Sequence, residues 1–311
     1  MTSDYTISHR AYTDADYQIV IDFLGVLLNE DPENHNWLPG RFEYAEYLIS
    51  PLFKERGLPD WKETIHLWFD GEKLIGMVNS ENPDANTYIQ ILPSYQFLTE
   101  ELIDWAENSL VIADWDNITP RLAVWANDSD VNRQTILNKR GFRRTEQEDY
   151  IQRQLIPDNF TAPELPDGYQ YSSFANGLDF NSRTEVTALA FGDEVPLSES
   201  IYEVVRSAPN YRPELDIAVV DTKNKAIAVA TFWLDETNRL AYLEPVATRP
   251  EYHGKGFAKK LLHHGMYKLK ERGIDNVYVG AHAGVRLFYM SCGFREAKMN
   301  QMWEKWYPQK S

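Results

Sequence analysis

Glu244-Pro245-Val246-Ala247-Thr248-Arg249-Pro250-Glu251-Tyr252-His253-Gly254-Lys255-Gly256-Phe257-Ala258 leads out of one regular element, through a glycine-bearing loop, and into the next. Upstream of it, Leu240 to Val246 alternates as a strand, with Leu240, Tyr242 and Glu244 on one face and Ala241 and Leu243 on the other. Pro245 brings no N–H to the ladder, so pairing fails there and the strand is expected to bulge or splay. Such a gap leaves the N–H groups of Val246 and Thr248 free for an extended ligand. Downstream, a helix is predicted through Lys270, with Phe257, Leu261, Leu262, Met266 and Leu269 on one stripe and Gly273 as its C-terminal stop. Gly254 and Gly256 let a ligand approach the backbone, and the first-turn N–H groups carry partial positive charge. That combination suits a pyrophosphate. It is not a Walker loop, because Lys255 sits between the glycines rather than before Ser or Thr. Nor is it a dinucleotide fingerprint, which needs a third glycine and an early βαβ position.

The chain around this loop has 311 residues, enough for two domains of ordinary size. With 43% hydrophobic and 25% charged residues it has the material for two cores, which excludes disorder and fibrous classes. No apolar run approaches the ~18 residues of a membrane span, and the opening Met1-Thr2-Ser3-Asp4-Tyr5 lacks a basic-then-apolar leader pattern, so a cytoplasmic protein is expected. A single cysteine, Cys292, permits no internal disulfide, and C-x-x-C spacing is absent. His263-His264 are adjacent helix positions that point apart, so no metal is expected. A net charge of −16 argues against nucleic acid as partner. Against that background, Arg249 to Arg272 holds seven basic and two acidic residues, a local excess fit for a polyanionic ligand.

Ile156 to Gly168 contains Pro157, Pro163 and Pro166 without periodicity and reads as a linker. The same order of features recurs on either side. Thr64 to Phe69 turns at Asp70-Gly71 into Lys73 to Val78, a hairpin; Leu215 to Val220 turns at 221–224 into Ala226 to Trp233. Arg121 to Ala126 and Asn276 to Ala281 are β-rich, and each is followed by a helical stretch ending in Gly141-Phe142-Arg143 or Gly293-Phe294-Arg295, 152 residues apart. This spacing implies duplication of one mixed α/β unit. The expected domains are 1–155, a linker at 156–168, and 169–311.

Residues 244–258 resemble the acyl-coenzyme A signature of the GNAT acetyltransferases, Arg/Gln-x-x-Gly-x-Gly/Ala, with His253 at the Arg/Gln position, Gly256 at the glycine and Ala258 at the final small residue. Leu287-Phe288-Tyr289-Met290-Ser291-Cys292-Gly293-Phe294 is similar to that family's Leu-Tyr-x-x-x-Gly-Phe, and His282 stands where the family usually has Asn. Tyr211 to Asp216 and the phrase Leu243 to Thr248 further resemble tandem GNAT proteins of the mycothiol-synthase-like type. The resemblance is specific over about 210–300 and thinner, though consistent in order, over 1–155. It implies an α/β (α+β) fold of two GNAT-like domains in tandem, each a mostly antiparallel sheet with a splayed strand pair and flanking helices. It also implies acetyl-coenzyme A as acyl donor, held by Val246, Ala247, Thr248, His253, Gly254, Lys255, Gly256, Phe257, Ala258 and His282.

Direct transfer to an amine needs a polarised carbonyl, a proton for the leaving thiolate and an acceptor for the amine proton. Free N–H groups at the strand gap serve the first need. The resemblance assigns Tyr289 to the second, and Glu244 suits the third, directly or through water. Packing roles compete with both: a Tyr before Gly-Phe packs in many helices, and a strand Glu often has only a cross-strand partner. The leading expectation is an N-acetyltransferase acting on a small amine; a non-catalytic acyl-coenzyme A sensor and a transferase to oxygen or a protein terminus are the competitors. In the first half, Leu92-Pro93-Ser94-Tyr95-Gln96-Phe97-Leu98 stands in place of the loop, Glu100 and Glu101 follow it, and Leu137 replaces Tyr289. That copy is expected to keep the fold and lack the activity. The acceptor and the oligomeric state are not encoded in any motif.

Overall fold

The structure is a computed structural model, described for residues 5–30, 36–80, 86–113, 119–192 and 195–308. Residues 1–4, on which the leader reading rests in part, lie outside the described residues. The chain divides into two compact units, Met1–Ile151 together with Lys298–Ser311, and Gln152–Ala297.

The first unit is built from β1 (Ile7–Ala11), α1 (Tyr17–Glu30), α2 (Pro39–Tyr44), α3 (Ser50–Glu55), β2 (His66–Asp70), β3 (Lys73–Ser80), β4 (Asn86–Ile91), α4 (Thr99–Ser109), β5 (Ile112–Ala113), β6 (Pro120–Asn127) and α5 (Val131–Lys139). Strand β7 (Arg143–Leu155) leads into the second unit, which continues with β8 (Tyr169–Ser173), α6 (Phe180–Phe191), α7 (Glu199–Arg206), β9 (Asp216–Asp221), β10 (Ala226–Asp235), β11 (Leu240–Thr248), α8 (Phe257–Glu271), β12 (Asn276–His282) and α9 (Ala283–Ser291). The last strand, β13 (Arg295–Trp306), ends in the first unit.

Both units use one plan, as the repeated spacing predicts. In the first, β1-β2-β3-β4 pair antiparallel in sequence order, and β4 then meets β6 in parallel at Asn86–Thr87 against Ala123–Val124. In the second, β8-β9-β10-β11 pair antiparallel, and β11 meets β12 in parallel at Leu240–Tyr242 against Asn276–Tyr278. Each parallel contact is short and the two strands then part, giving the splayed pair. The two Gly-Phe steps are equivalent as well: Gly141 and Gly293 take φ of 88° and 105° just past α5 and α9, and Phe142 and Phe294 are buried behind them.

The expected bounds of 1–155, 156–168 and 169–311 differ from these units in two places. The proline-rich segment has no regular structure, but it is docked on the second unit. Ile156 is buried and donates its N–H to the Asp275 carbonyl at 2.8 Å, and Phe160 and Leu165 pack against that unit's core. At the other end, Asn300 to Trp306 of β13 pair antiparallel with Asn127 to Arg121 of β6, so the C-terminus completes the first unit's sheet. Met302 and Trp303 join that unit's core.

The second unit buries both faces of its sheet. One packs Leu261, Leu262, Met266 and Leu269 of α8, the stripe expected from sequence; the other packs Val186 of α6 against Ala218, Val229 and Ala247. No helix is long and apolar enough to cross a membrane among the described residues.

Candidate functional site

The bulge expected at Pro245 lies on the β10 side of β11. Ala230 pairs with Val246 and Phe232 with Leu243, so Thr231 alone faces Glu244 and Pro245, two residues against one. The extra residue inverts the alternation: Ala241 and Leu243 face the α8 core before the bulge, Val246 faces it afterwards, and Ala247 turns to α6. On the opposite side pairing with β12 has already stopped at Tyr242. Arg249 donates its N–H to Ile227 of the β10 side at 2.9 Å. Alternation then sends the Ala247 N–H the same way and those of Val246 and Thr248 into the gap.

The loop after β11 turns through Gly254 and Gly256, with φ of 74° and 81°, values a side chain would strain. Gly256 is the N-cap of α8. Among the described residues the N–H groups of Gly254, Gly256, Phe257, Ala258 and Lys259 find no acceptor, and the first turn of the helix therefore offers its donors outward. Gap and helix end share one cavity of about 540 Å³. Of the residues expected to hold the donor, Val246, Ala247, Thr248, His253, Gly254, Gly256, Phe257 and Ala258 line it, and Tyr289 does too.

Three expected residues do not line the cavity. Lys255 lays its ammonium over the Tyr252 ring at 4.7 Å. His282 caps α9, accepting from the Gly284 N–H at 3.1 Å. Glu244 stands at the bulge, and its carbonyl accepts from the Trp233 indole at 2.7 Å. Its carboxylate is nonetheless close enough to raise the pKa of Tyr289. His253 lines the cavity, but its Nε2 is engaged with the Thr248 carbonyl at 3.0 Å, which leaves Nδ1 as the ring atom for a ligand.

Tyr289 sits on α9 with 8% of its surface exposed, its ring 5.1 Å from Phe288 and 5.7 Å from Phe294. Burial first, and the Glu244 carboxylate second, push its pKa well above the ordinary phenol range, so the phenol keeps its proton. The cationic excess of 249–272 is less available than the sequence suggests. Arg249 is buried and paired with Glu185 at 2.5 Å, Lys270 pairs with Asp158 at 2.7 Å, and Arg272 pairs with Glu214. Lys259 is the basic residue of the segment that lines the cavity, with its ammonium 2.5 Å from the Ser291 carbonyl. Backbone donors thus outweigh side-chain charge.

Ala190 and Phe191 of α6, together with Val285, Phe288 and Ser291 of α9, complete the wall. Ala190, Phe191 and Val285 belong to no motif, and sequence reasoning passed over them; Phe288 and Ser291 fall within the motif at 287–294 but were given no role of their own. Cys292 is buried in the core, as its size suggests. Among the described residues no three His, Cys, Asp or Glu side chains gather as a metal site.

A model of the acetyltransferase (GNAT) family matches residues 187–294, the segment that carries the splayed pair, the glycine loop and Tyr289. Over the whole chain the structure is similar to a GCN5-related N-acetyltransferase from Sphaerobacter thermophilus, with a TM-score of 0.65, 17% identity, and coverage of 98% of this chain and 97% of that one. It is also similar to a tandem GNAT protein from the clavulanic acid biosynthesis pathway, with a TM-score of 0.64, 12% identity, and coverage of 99% and 100%. This is a tandem GNAT fold. A GNAT-family acetyltransferase from Colwellia psychrerythraea gives the same picture, with a TM-score of 0.59, 14% identity, and coverage of 97% and 100%. At these identities the likeness speaks for the GNAT fold alone. No curated protein matches the sequence.

Proposed function

We propose that this protein is an acetyl-coenzyme A-dependent N-acetyltransferase that acts on a small amine, with its active site in the second unit. The observation that carries the reading is the shared cavity: outward N–H groups of Gly254 to Lys259 at one end, the opened edge of β11, and a protonated Tyr289. Diphosphate oxygens match the donors of the glycine loop and first turn of α8. The gap edge matches an extended amide-bearing arm, and its N–H groups favour charge developing on a thioester oxygen.

In the proposed reaction the amine nitrogen attacks the thioester carbon, and the carbon–sulfur bond breaks. Tyr289 gives its proton to the departing thiolate. Glu244 takes the proton lost by the amine, through water, since its carboxylate does not line the cavity. The first unit is the non-catalytic copy in this reading: Leu137 is buried where Tyr289 would be, and Tyr95 donates to Asp70 at 2.9 Å within the segment that replaces the loop.

The reading is tested by following thiol release from acetyl-coenzyme A over a panel of polyamines, amino acids and amino sugars. Amine-dependent release is the expected result. Tight binding of the donor with no release on any amine would make the protein an acyl-coenzyme A sensor. Release dependent on hydroxyl compounds alone would make it an O-acyltransferase.

A further inference from the structure

Pro93–Leu98 stands in the first unit where the second has its glycine loop, yet one face of the first unit's sheet holds a buried polar patch. Asn79 on β3 pairs with Tyr88 on β4, and Asn127 on β6 with Asn300 on β13. Partners across a ladder share a face, and the Tyr88 ring stacks 6.4 Å from that of Trp125, two residues before Asn127. Asn79, Asn127 and Asn300 therefore line one face over the splay of β4 from β6. The segment 36–41 lies against this face. Asn36 pairs with Gln90 and donates to the Trp125 carbonyl at 3.3 Å, and the Trp37 ring stands 4.7 Å from Tyr88.

These amides are sealed from solvent, at 0% exposure for Asn79 and Asn300 and 1% for Asn127. Among the described residues, both polar atoms of Asn79, both of Asn300, and Nδ2 of Asn127 have no hydrogen-bond partner, and the indole nitrogens of Trp37 and Trp125 have none either. A buried polar group left unpaired is destabilising, so several on one face call for something to bond to them. The second unit shows that the fold can pair polar groups on this side. Thr231, 152 residues after Asn79, accepts from Arg183 at 2.9 Å.

We infer that this patch is a second small-molecule site, and that its ligand is a small neutral polyol such as a cyclic polyol or monosaccharide. The amides of Asn79 and Asn300 each offer a donor and an acceptor side by side, which two neighbouring hydroxyls complement, and Asn127 adds a donor. Flat faces of Trp37, Tyr88 and Trp125 suit the C–H surface of such a ring. Arg41 is stacked 4.5 Å from Trp37 with Asp149 4.0 Å away, so an anionic ligand would find this guanidinium's charge already matched. The site is independent of acyl transfer and gives the copy without the loop a function of its own.

The test uses the intact chain, with calorimetric titration and thermal melting in myo-inositol and D-glucose at about 10 mM, enough to reveal millimolar sites by mass action. At least one of them is expected to bind and to raise Tm by about 2–4 °C, while sodium acetate does neither. Asn79→Leu removes two unpaired groups at similar volume. It is expected to melt no lower than the parent and to lose the polyol response; Asn300→Leu is the second variant. Titration of the parent chain decides the matter should both variants fail to fold. Absence of binding by both polyols means that the amides hold water only and overturns the site. So does an undiminished response in folded Asn79→Leu, and a response to acetate alone overturns the ligand class.

Discussion

Tyr289 combines two properties that a thiolate's proton donor needs: contact with the cavity and a pKa raised by burial and by Glu244. Tyr289→Phe removes one oxygen and keeps the ring packing against Phe288 and Phe294. Turnover is expected to fall by about 10²–10⁴-fold, with the acetyl-coenzyme A Kd from calorimetry changed less than about threefold, because the lost bond forms only as sulfur departs. The sign of the pH dependence follows from the shift. A donor whose pKa is raised above 10 stays protonated through the neutral and mildly alkaline range, so the rate should show no alkaline fall assignable to it below pH 10. A fall near pH 8 that vanishes in Tyr289→Phe would refute this. At this scale the sequence was informative where spacing carried the information. Tyr289 stands four residues before Gly293-Phe294, and the glycines of the loop mark themselves by type. Phe191 and Val285 stayed hidden, since apolar residues on separate helices meet at the cavity only through tertiary packing.

At the scale of the element, α8 is the part whose placement sets the cavity. Its stripe was readable from 3.6-residue periodicity, but the closeness of its approach was not, because that depends on what faces Gly265. A Cβ at Gly265 would stand 2.2 Å from the buried Phe232 ring of β10. Gly265→Ala gains roughly 1 kcal/mol of helix propensity but forces apart elements that have no slack, an overpacking that costs about 1–3 kcal/mol. A lower Tm and weaker acetyl-coenzyme A binding are expected together; a variant that is more stable would show that the helix has room to shift. The same helix stacks His264 on Tyr171 of β8 at 3.8 Å, and burial, with Lys268 adding to it, lowers the imidazole pKa from 6.5 to about 4. A depressed pKa stabilises the fold above the unfolded value of 6.5, and this contribution is lost as pH falls toward 4. His264→Phe keeps the stacked ring and cannot titrate, so its stability should decline less than the parent's between those two values in urea melts. The bulge in β11 also belongs to this scale. Pro245 announces it, yet only the register with β10 reveals that it reverses which side chains face α8.

For the whole molecule, the 152-residue repeat disclosed two copies of one plan, and the spacing of hairpins and Gly-Phe steps sufficed for that. It did not disclose which unit the C-terminus completes. Strand pairing is non-local, and β13 carries no label saying that its residues from Lys298 belong with β6, more than 170 positions earlier. Deleting 298–311 is accordingly expected to harm the unit that does not contain the proposed active site. The deletion exposes β6 as an edge and removes Met302 and Trp303 from the first core, while all residues that line the cavity remain. Hydrogen exchange should show the loss of protection concentrated in β4 and β6, with β10, β11 and α8 retaining theirs. Titration of the intact chain with acetyl-coenzyme A should saturate at one site per chain, since the first unit offers Pro93–Leu98 as a short helix where the second has its glycine loop. Two equivalent sites, or exchange spreading first through α8, would mean that the division of labour between the copies has been drawn the wrong way round.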